Sequence, residues 1–329
     1  MGGDILRLGV MGTADIAVSR VIESLRKSKK VKVHAISSRE ISGAEKWAVK
    51  LGIENYFGSY EEMLKNRDID AVYIPLPNSM HREWTIRALK AGKHVMCEKP
   101  LALTGEEVRQ MIKAAREKDL VLMEGFMYRF HPRNRDVLEM CRNGSIGEIK
   151  TVESSFSYVL DDPSSYLMSR ELGGGVLYDV GCYCVDVSRL MTGSEPVEVY
   201  GMFNLTRTNV DMTFSGQLRF PKGKITSFHV SMDEEPRYYY RVIGDKGLIE
   251  VPGAFVSFGK QTQIVLQKNE KQETKQYQGV DEYRLEFEHF AEAVLEKKPL
   301  LYDIEYSLKN VYVLEALFGS AREGKPVRV

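Results

Sequence analysis

Near the start of this chain, the residues most able to do chemistry are glycines and small side chains, and the chemistry is anion binding through the backbone. The segment Gly9-Val-Met-Gly12-Thr13-Ala14-Asp15-Ile16-Ala17 follows an apolar run and leads into a helical pattern. A tight turn there aims unbonded N–H groups and the positive end of a helix at a pyrophosphate. The fingerprint GxGxxG is kept in part: Gly12 fits its first glycine, while Ala14 and Ala17 stand at the second and third. Alanine at the third place still lets helix and strand pack closely; at the second it permits less backbone approach. The same residues would also make a plain strand-to-helix connection. The next strand ends in Ser37-Ser38-Arg39-Glu40. An acidic residue there suits the 2′-hydroxyl of NAD, whereas hydroxyls and a guanidinium suit the 2′-phosphate of NADP. NADP is therefore the expected cofactor. Glu40, one residue late for the acidic role, leaves NAD open.

These residues need strands to hold them and helices to space the strands. Apolar runs at 5–11, 31–37, 71–74, 94–97 and 120–123 read as buried strands, with a short one near Tyr56. Helical spacing lies between them at 15–27, 43–51, 59–65, 79–91 and 104–118, the last opened by a Thr104/Glu107 capping-box pattern. Strands alternating with helices of that length predict a doubly wound parallel sheet, an α/β Rossmann domain over residues 1–125. After a helix at 132–142 the pattern changes. Segments 150–157, 197–205, 211–220, 224–232 and 238–243 alternate, and Pro221-Lys222-Gly223 and Asp245-Lys246-Gly247 mark turns between strands. Helical spacing returns at 175–191, 281–296 and 304–323. The expected second domain, 126–329, is α+β with a large, mostly antiparallel sheet, serving substrate binding and oligomerisation.

Composition excludes several classes. The chain has 329 residues, enough for two domains, and Lys plus Arg balance Asp plus Glu at 46 each. No global field favours nucleic acid or an anionic membrane. No apolar run approaches the ~20 residues of a membrane helix, and the first run is too short for a signal-peptide core. The four cysteines have no paired CxxC spacing and the six histidines no HExxH spacing, so no metal is expected. A reduced, cytoplasmic location fits this cysteine usage.

Further motifs make the reading specific. His94-Val-Met-Cys-Glu98-Lys99-Pro100 follows the fifth strand, and Ile74-Pro75-Leu76-Pro77-Asn78-Ser79-Met80-His81 ends the fourth. Gly125-Phe126-Met127-Tyr128-Arg129-Phe130-His131-Pro132 follows the sixth. Gly173-Gly174-Gly175-Val-Leu-Tyr-Asp179-Val-Gly181-Cys182-Tyr183 lies in the second half, and Ser320-Ala321-Arg322-Glu323-Gly324-Lys325-Pro326-Val327 comes near the end. In this order the segments resemble the GFO/IDH/MocA oxidoreductase family, named for glucose–fructose oxidoreductase and inositol dehydrogenase. Residues 12–17 and 126–132 are most similar to its dihydrodiol dehydrogenase, aldose dehydrogenase and sugar ketoreductase branches. Tyr183 stands where inositol dehydrogenases place His.

The resemblance implies hydride transfer between a nicotinamide and a CH–OH or C=O carbon of a sugar, sugar derivative or cyclic polyol. It places Lys99 against the substrate oxygen, where an ammonium would stabilise an alkoxide and relay its proton. Pro100 is expected to fix the backbone there through a cis peptide. Asp179 and Tyr183, four residues apart, share a face if the segment is helical. Tyr183 is the expected proton donor and Asp179 the group that orients Lys99 or a substrate hydroxyl. Pro75, Leu76, Pro77, Asn78, His81 and Glu98 are expected along the cofactor, with His81 alternatively held by backbone. Arg129 would approach the cofactor or an acidic substrate group, or form an interdomain ion pair; Asp186 reads as a salt-bridge partner. Two rival functions stay open, trans-dihydrodiol dehydrogenation and non-catalytic cofactor binding by a regulator. An uncovered face of the second sheet, with the resemblance, predicts a homodimer or homotetramer.

Overall fold

The computed structural model describes residues 5–257 and 259–329. The apolar runs of the N-terminal third become strands β1 (Leu6–Met11), β2 (Val31–Ser37), β3 (Asn55–Phe57), β4 (Ala71–Ile74), β5 (His94–Glu98) and β6 (Leu122–Gly125). They form one sheet in the order β3-β2-β1-β4-β5-β6, and every pairing is parallel. Parallel strands need crossovers, supplied by α1 (Ile22–Leu25), α2 (Ile41–Leu51), α3 (Tyr60–Lys65), α4 (His81–Lys90) and α5 (Gly105–Lys118). The expected capping box is present at α5, where Thr104 Oγ1 accepts the Glu107 N–H at 3.2 Å and Glu107 accepts the Thr104 N–H. The sheet grows one way from β1 through β2 to β3 and the other way from β4 onward, so the carboxyl ends of β1 and β4 open the crevice where such sheets bind ligands.

The second sheet has nine strands: β7 (Ile149–Val159), β8 (Glu198–Leu205), β9 (Asp211–Arg219), β10 (Ile225–Ser231), β11 (Asp233–Gly244), β12 (Leu248–Pro252), β13 (Thr262–Lys268), β14 (Lys271–Tyr277) and β15 (Val327–Arg328). All neighbours are antiparallel except β10 on β7. Helix α6 (Pro132–Arg142) precedes it, and α7 (Cys182–Thr192) lies against β7, β10 and β11. Val152, Phe214, Val230 and Val242 face one way and are buried; Glu153, Gln217, His229 and Arg241 face the other and are half-buried or exposed. Strands β12 to β14 exceed the sequence expectation. Lys271–Tyr277 carries almost no apolar residue because it is an exposed edge strand, so no alternation marks it.

The chain divides into two compact units. One runs to Met127 and takes in Tyr283–Leu308; the other holds Tyr128–Glu282 and Lys309–Val329. The sequence expectation cut the chain once, at residue 125. The structure returns a later segment to the first unit because α8 (Glu282–Leu295) carries Phe287, whose ring meets Tyr73 edge-on at 5.1 Å. Glu292 pairs with Lys30, and the Tyr302 hydroxyl donates to the Glu124 carbonyl at 2.6 Å. Helix α9 (Ile304–Glu323) follows.

Candidate functional site

The turn after β1 is built to leave donors open. Gly12 adopts φ +96°, a conformation that glycine alone takes at little cost, and its N–H donates to the Ser37 carbonyl at 2.9 Å. A Cβ there would stand 3.0 Å from Leu76. Among the described residues, no hydrogen bond takes the N–H of Thr13, Ala14 or Asp15. The chain then enters a π-helical turn, Ala17–Val21, which no side chain caps, and continues into α1. Open N–H groups at a helix start are an anion seat. Gly9 stands inside β1, where a Cβ would meet Met63 and Ile69 at 3.1 and 3.2 Å, so packing explains this glycine.

At the end of β2, Ser37 is buried and donates to the Val10 carbonyl, Ser38 is half-buried, and Arg39 is exposed. Burial raises the Tyr60 phenol, and the Arg39 guanidinium pulls it the other way. The open turn and the exposed guanidinium fit a dinucleotide carrying a 2′-phosphate.

Four hydrogen bonds hold the turn after β5, where the Lys99–Pro100 peptide is cis, as the resemblance implied. The Tyr73 hydroxyl donates to Glu98 Oε1 at 2.6 Å, and Glu98 Oε2 accepts the Lys99 N–H at 3.3 Å. Burial and the Glu98 charge push the Tyr73 phenol well above its ordinary value, so it remains a donor. Buried Glu124 accepts the Leu101 N–H at 2.8 Å. His81, fully buried, sets Nδ1 2.9 Å from the Pro100 carbonyl and Nε2 2.7 Å from the Leu76 carbonyl. Burial lowers its pKa, and the neutral ring donates to one carbonyl at a time. The ring ties the Pro75–Asn78 segment to the lysine turn and has both nitrogens engaged by backbone. Pro75, Leu76 and Asn78 are buried and Pro77 is half-buried.

In the second unit the Gly173–Gly175 run leads into a second π-helical turn, Leu177–Gly181, continuous with α7. Asp179 lies in that turn and Tyr183 in the first turn of α7. The Tyr158 hydroxyl, reaching from β7, donates to Asp179 Oδ2. The Tyr183 ring is buried against Tyr128, Phe156 and Phe255, with centroids 5.5–5.7 Å away. Arg129 Nε lies 3.6 Å from Asp186 Oδ2, which also accepts from the Tyr128 hydroxyl. Arg129 is thus engaged inside its own unit, and Asp186 has the salt-bridge role its position suggested.

Tyr73, Glu124, Tyr158 and the buried Asp211 were not legible as site residues. Each reaches its partner from another strand, so no local motif contains it. Among the described residues, no group of three or more His, Cys, Asp or Glu could hold a metal, and no helix is long and apolar enough to cross a membrane.

A parallel sheet in this strand order, with an open glycine turn at its switch point and a lysine braced on a neighbouring strand end, defines a nicotinamide-dinucleotide oxidoreductase. Residues 6–126 match the model of the oxidoreductase family with the NAD-binding Rossmann fold, and residues 134–250 match the GFO/IDH/MocA C-terminal domain. The chain belongs to the GFO/IDH/MocA family and is an NAD(P)-dependent enzyme. It is 35% identical to D-xylose 1-dehydrogenase (NADP(+)) 2 of Haloferax volcanii, over 98% of this chain and 100% of that one. The 3-ketoreductase of Actinomadura kijaniata, solved with NADP and TDP-benzene, superposes with TM-score 0.92 at 29% identity, covering 96% of this chain and 98% of that one. Aldose–aldose oxidoreductase of Caulobacter crescentus, solved with glycerol, superposes with TM-score 0.91 at 28% identity, over 99% and 100%.

Proposed function

We propose that this enzyme oxidises, reversibly, a secondary or anomeric hydroxyl of an aldose or related sugar with NADP. The N–H groups of Thr13, Ala14 and Asp15 hold the pyrophosphate, with Gly12 and Ile16 framing the turn. Ser37, Ser38 and Arg39 take the 2′-phosphate. Pro75, Leu76, Pro77, Asn78 and Glu98 border the nicotinamide half, and His81 and Gly9 support it through backbone and packing. Bound NADP supplies the hydride acceptor or donor. Lys99 meets the substrate oxygen and stabilises its negative charge; Tyr183 gives or takes the proton; Asp179, held by Tyr158, orients the substrate hydroxyl.

The observation that carries this reading is the bracing of Lys99. Glu98 is fixed by Tyr73, Leu101 by Glu124 and Pro100 by His81. A lysine needed only for solubility would have no use for so rigid a turn. The protein is proposed to be cytoplasmic, its four cysteines all being free. Its half-buried sheet face, with Glu153, His229 and Arg241, is proposed to pair two or four copies.

The test is turnover of a panel of aldoses, sugar phosphates, inositols and trans-dihydrodiols with NADP+ and with NAD+. Aldoses with NADP+ should react fastest. Lys99→Met should lower kcat by a factor on the order of 10³ while NADPH still binds. Arg39→Ala should weaken NADPH much more than NADH. Turnover of the dihydrodiols alone would replace the sugar reading. A Lys99→Met enzyme of full activity would end the role given to Lys99, and a protein that binds NADPH but turns over nothing would be a regulator.

A further inference from the structure

The π-helical turn that presents Asp179 and Tyr183 begins without a cap of its own. Its N-terminal neighbours are Gly173, Gly174 and Gly175, which have no side chain to offer, and no side chain within the turn bonds the opening N–H groups. The acceptor comes from elsewhere. Asp211, the first residue of β9, is buried to 1% exposure, and its Oδ2 accepts the Leu177 N–H at 2.8 Å.

Two features of the backbone admit this carboxyl. Pairing between β8 and β9 slips where Asn204 faces Thr213 and Leu205 faces Asp211, leaving Met212 as an extra residue. Such a bulge re-aims the side chain beside it. On the other side, Gly175 adopts φ +115°, and a Cβ there would lie 2.0 Å from Asp211 Oδ1. The seat is therefore shaped for a carboxyl group and for nothing larger at residue 175.

We propose that Asp211 is the positioning residue of this turn: it caps the N–H of Leu177, and so fixes where Asp179 and the Tyr183 hydroxyl stand. The proposal rests on the reading of Tyr183 as proton donor. Asp211 acts through the turn, because its Oδ2 is taken by the Leu177 N–H. Loss of the cap leaves that donor buried without its acceptor, and the turn unwinds toward whichever acceptor it can find. The hydroxyl of Tyr183 then samples positions away from the reacting atoms, and a shift of about 1 Å is enough to slow chemistry severely.

The experiment compares Asp211→Ala and Asp211→Asn with the wild type in three measurements. Hydrogen exchange at the Leu177 amide should rise at least about tenfold in the alanine variant. With the fastest aldose of the panel and NADP+, kcat should fall roughly 10- to 100-fold while KM moves less than about threefold. NADPH affinity, which belongs to the first unit, should stay level. Asparagine keeps one carbonyl oxygen and should restore a large part of kcat. If the alanine variant does not fold, the asparagine variant carries the test, with a smaller loss in the same direction. An unchanged kcat in a folded variant, or a lower kcat with unchanged exchange at Leu177, would overturn the proposal. If the wild type turns over no sugar at all, the functional reading fails by itself. Exchange at Leu177 and the 19F signal of 3-fluorotyrosine at Tyr183 then decide whether Asp211 holds the turn; an unmoved signal in Asp211→Ala says it does not.

Discussion

The helix after β1 and the helix that carries Tyr183 start with the same parts and finish them differently. Each follows a glycine at positive φ, Gly12 at +96° and Gly175 at +115°, and each opens with a π-helical turn. Neither takes a cap from its own sequence. In the first, the N–H groups of Thr13 to Asp15 meet no acceptor among the described residues; in the second, Asp211 fills the seat. An open helix start attracts an anion whichever molecule brings it. One unit keeps its seat for a phosphate that comes and goes. The other closes its seat with a carboxyl from its own sheet, and gains a fixed turn in place of a binding site. The wider lesson concerns sequence motifs: a glycine turn before a helix marks an anion seat, and a second residue decides whether a ligand can reach it.

The comparison breaks most sharply if the closed seat tolerates crowding. Gly175→Ala places a methyl group in the space of Asp211 Oδ1 and forces an L residue to φ +115°. Backbone strain and the displaced carboxyl together should cost about 3 kcal/mol, read as a lower midpoint in urea unfolding. In the Gly175→Ala/Asp211→Ala double variant the two losses should add to less than their sum, because the clash has gone with the carboxyl. Full additivity would mean that the two residues do not share one seat.

The converse substitution closes the open seat. Ala14→Asp puts a carboxylate of the protein's own beside the free N–H groups. Repulsion between it and a bound phosphate should be about 3 kcal/mol at partial exposure, roughly a 100-fold rise in the Kd for NADPH. Stability should hold or improve slightly, since an acidic residue at a helix start is favourable. Unchanged NADPH affinity in fluorescence titration would show that the pyrophosphate sits elsewhere.

Sequence reading reaches some parts of these two sites and stops at others for a physical reason. Gly12 to Ile16, Glu98 to Pro100 and Asp179 to Tyr183 were legible because each set is short-range, carried by one turn. The doubly wound parallel class of the first sheet was legible too, since helices alternating with buried runs call for crossover connections, while the strand order was not. Asp211 lies 34 residues from Leu177, and Tyr158 lies 21 from Asp179. Their partnerships depend on the register of the second sheet and on a bulge, and alternation in one strand does not encode the pairing of two. Arg129 stands in a family motif, and its ion pair with Asp186, 57 residues on, was legible only from the other end, where Asp186 read as a salt-bridge partner. Gly9 reads as part of the phosphate turn, and inside β1 a Cβ at this position would crowd Met63 and Ile69, as at a packing glycine.

The smallest effect should appear in the pH dependence of stability, and it distinguishes a buried seat from an open one. Burial pushes Asp211 up to about 7, against the pull of the N–H groups that hold it, from an ordinary value of 3.8. Between those values the folded protein binds the proton that the unfolded chain has released, so this group's contribution falls as pH rises toward 7. The slope is at most about 1.4 kcal/mol per pH unit and vanishes above the folded value. His131 works the other way. Burial, with the Arg133 charge, lowers its pKa to about 3, so its contribution is whole above the unfolded value of 6.5 and is lost as pH falls. Its Nδ1 accepts the Arg133 N–H at the start of α6, which requires the neutral ring. The two trends oppose each other over the same window, so the raw curve of the wild type is flatter than either. The difference between wild type and Asp211→Asn isolates one of them. That difference should shrink steadily from pH 5 to pH 7 and level off beyond; a difference independent of pH would mean that the carboxyl at 211 is ionised throughout, and that water reaches the second seat as freely as the first.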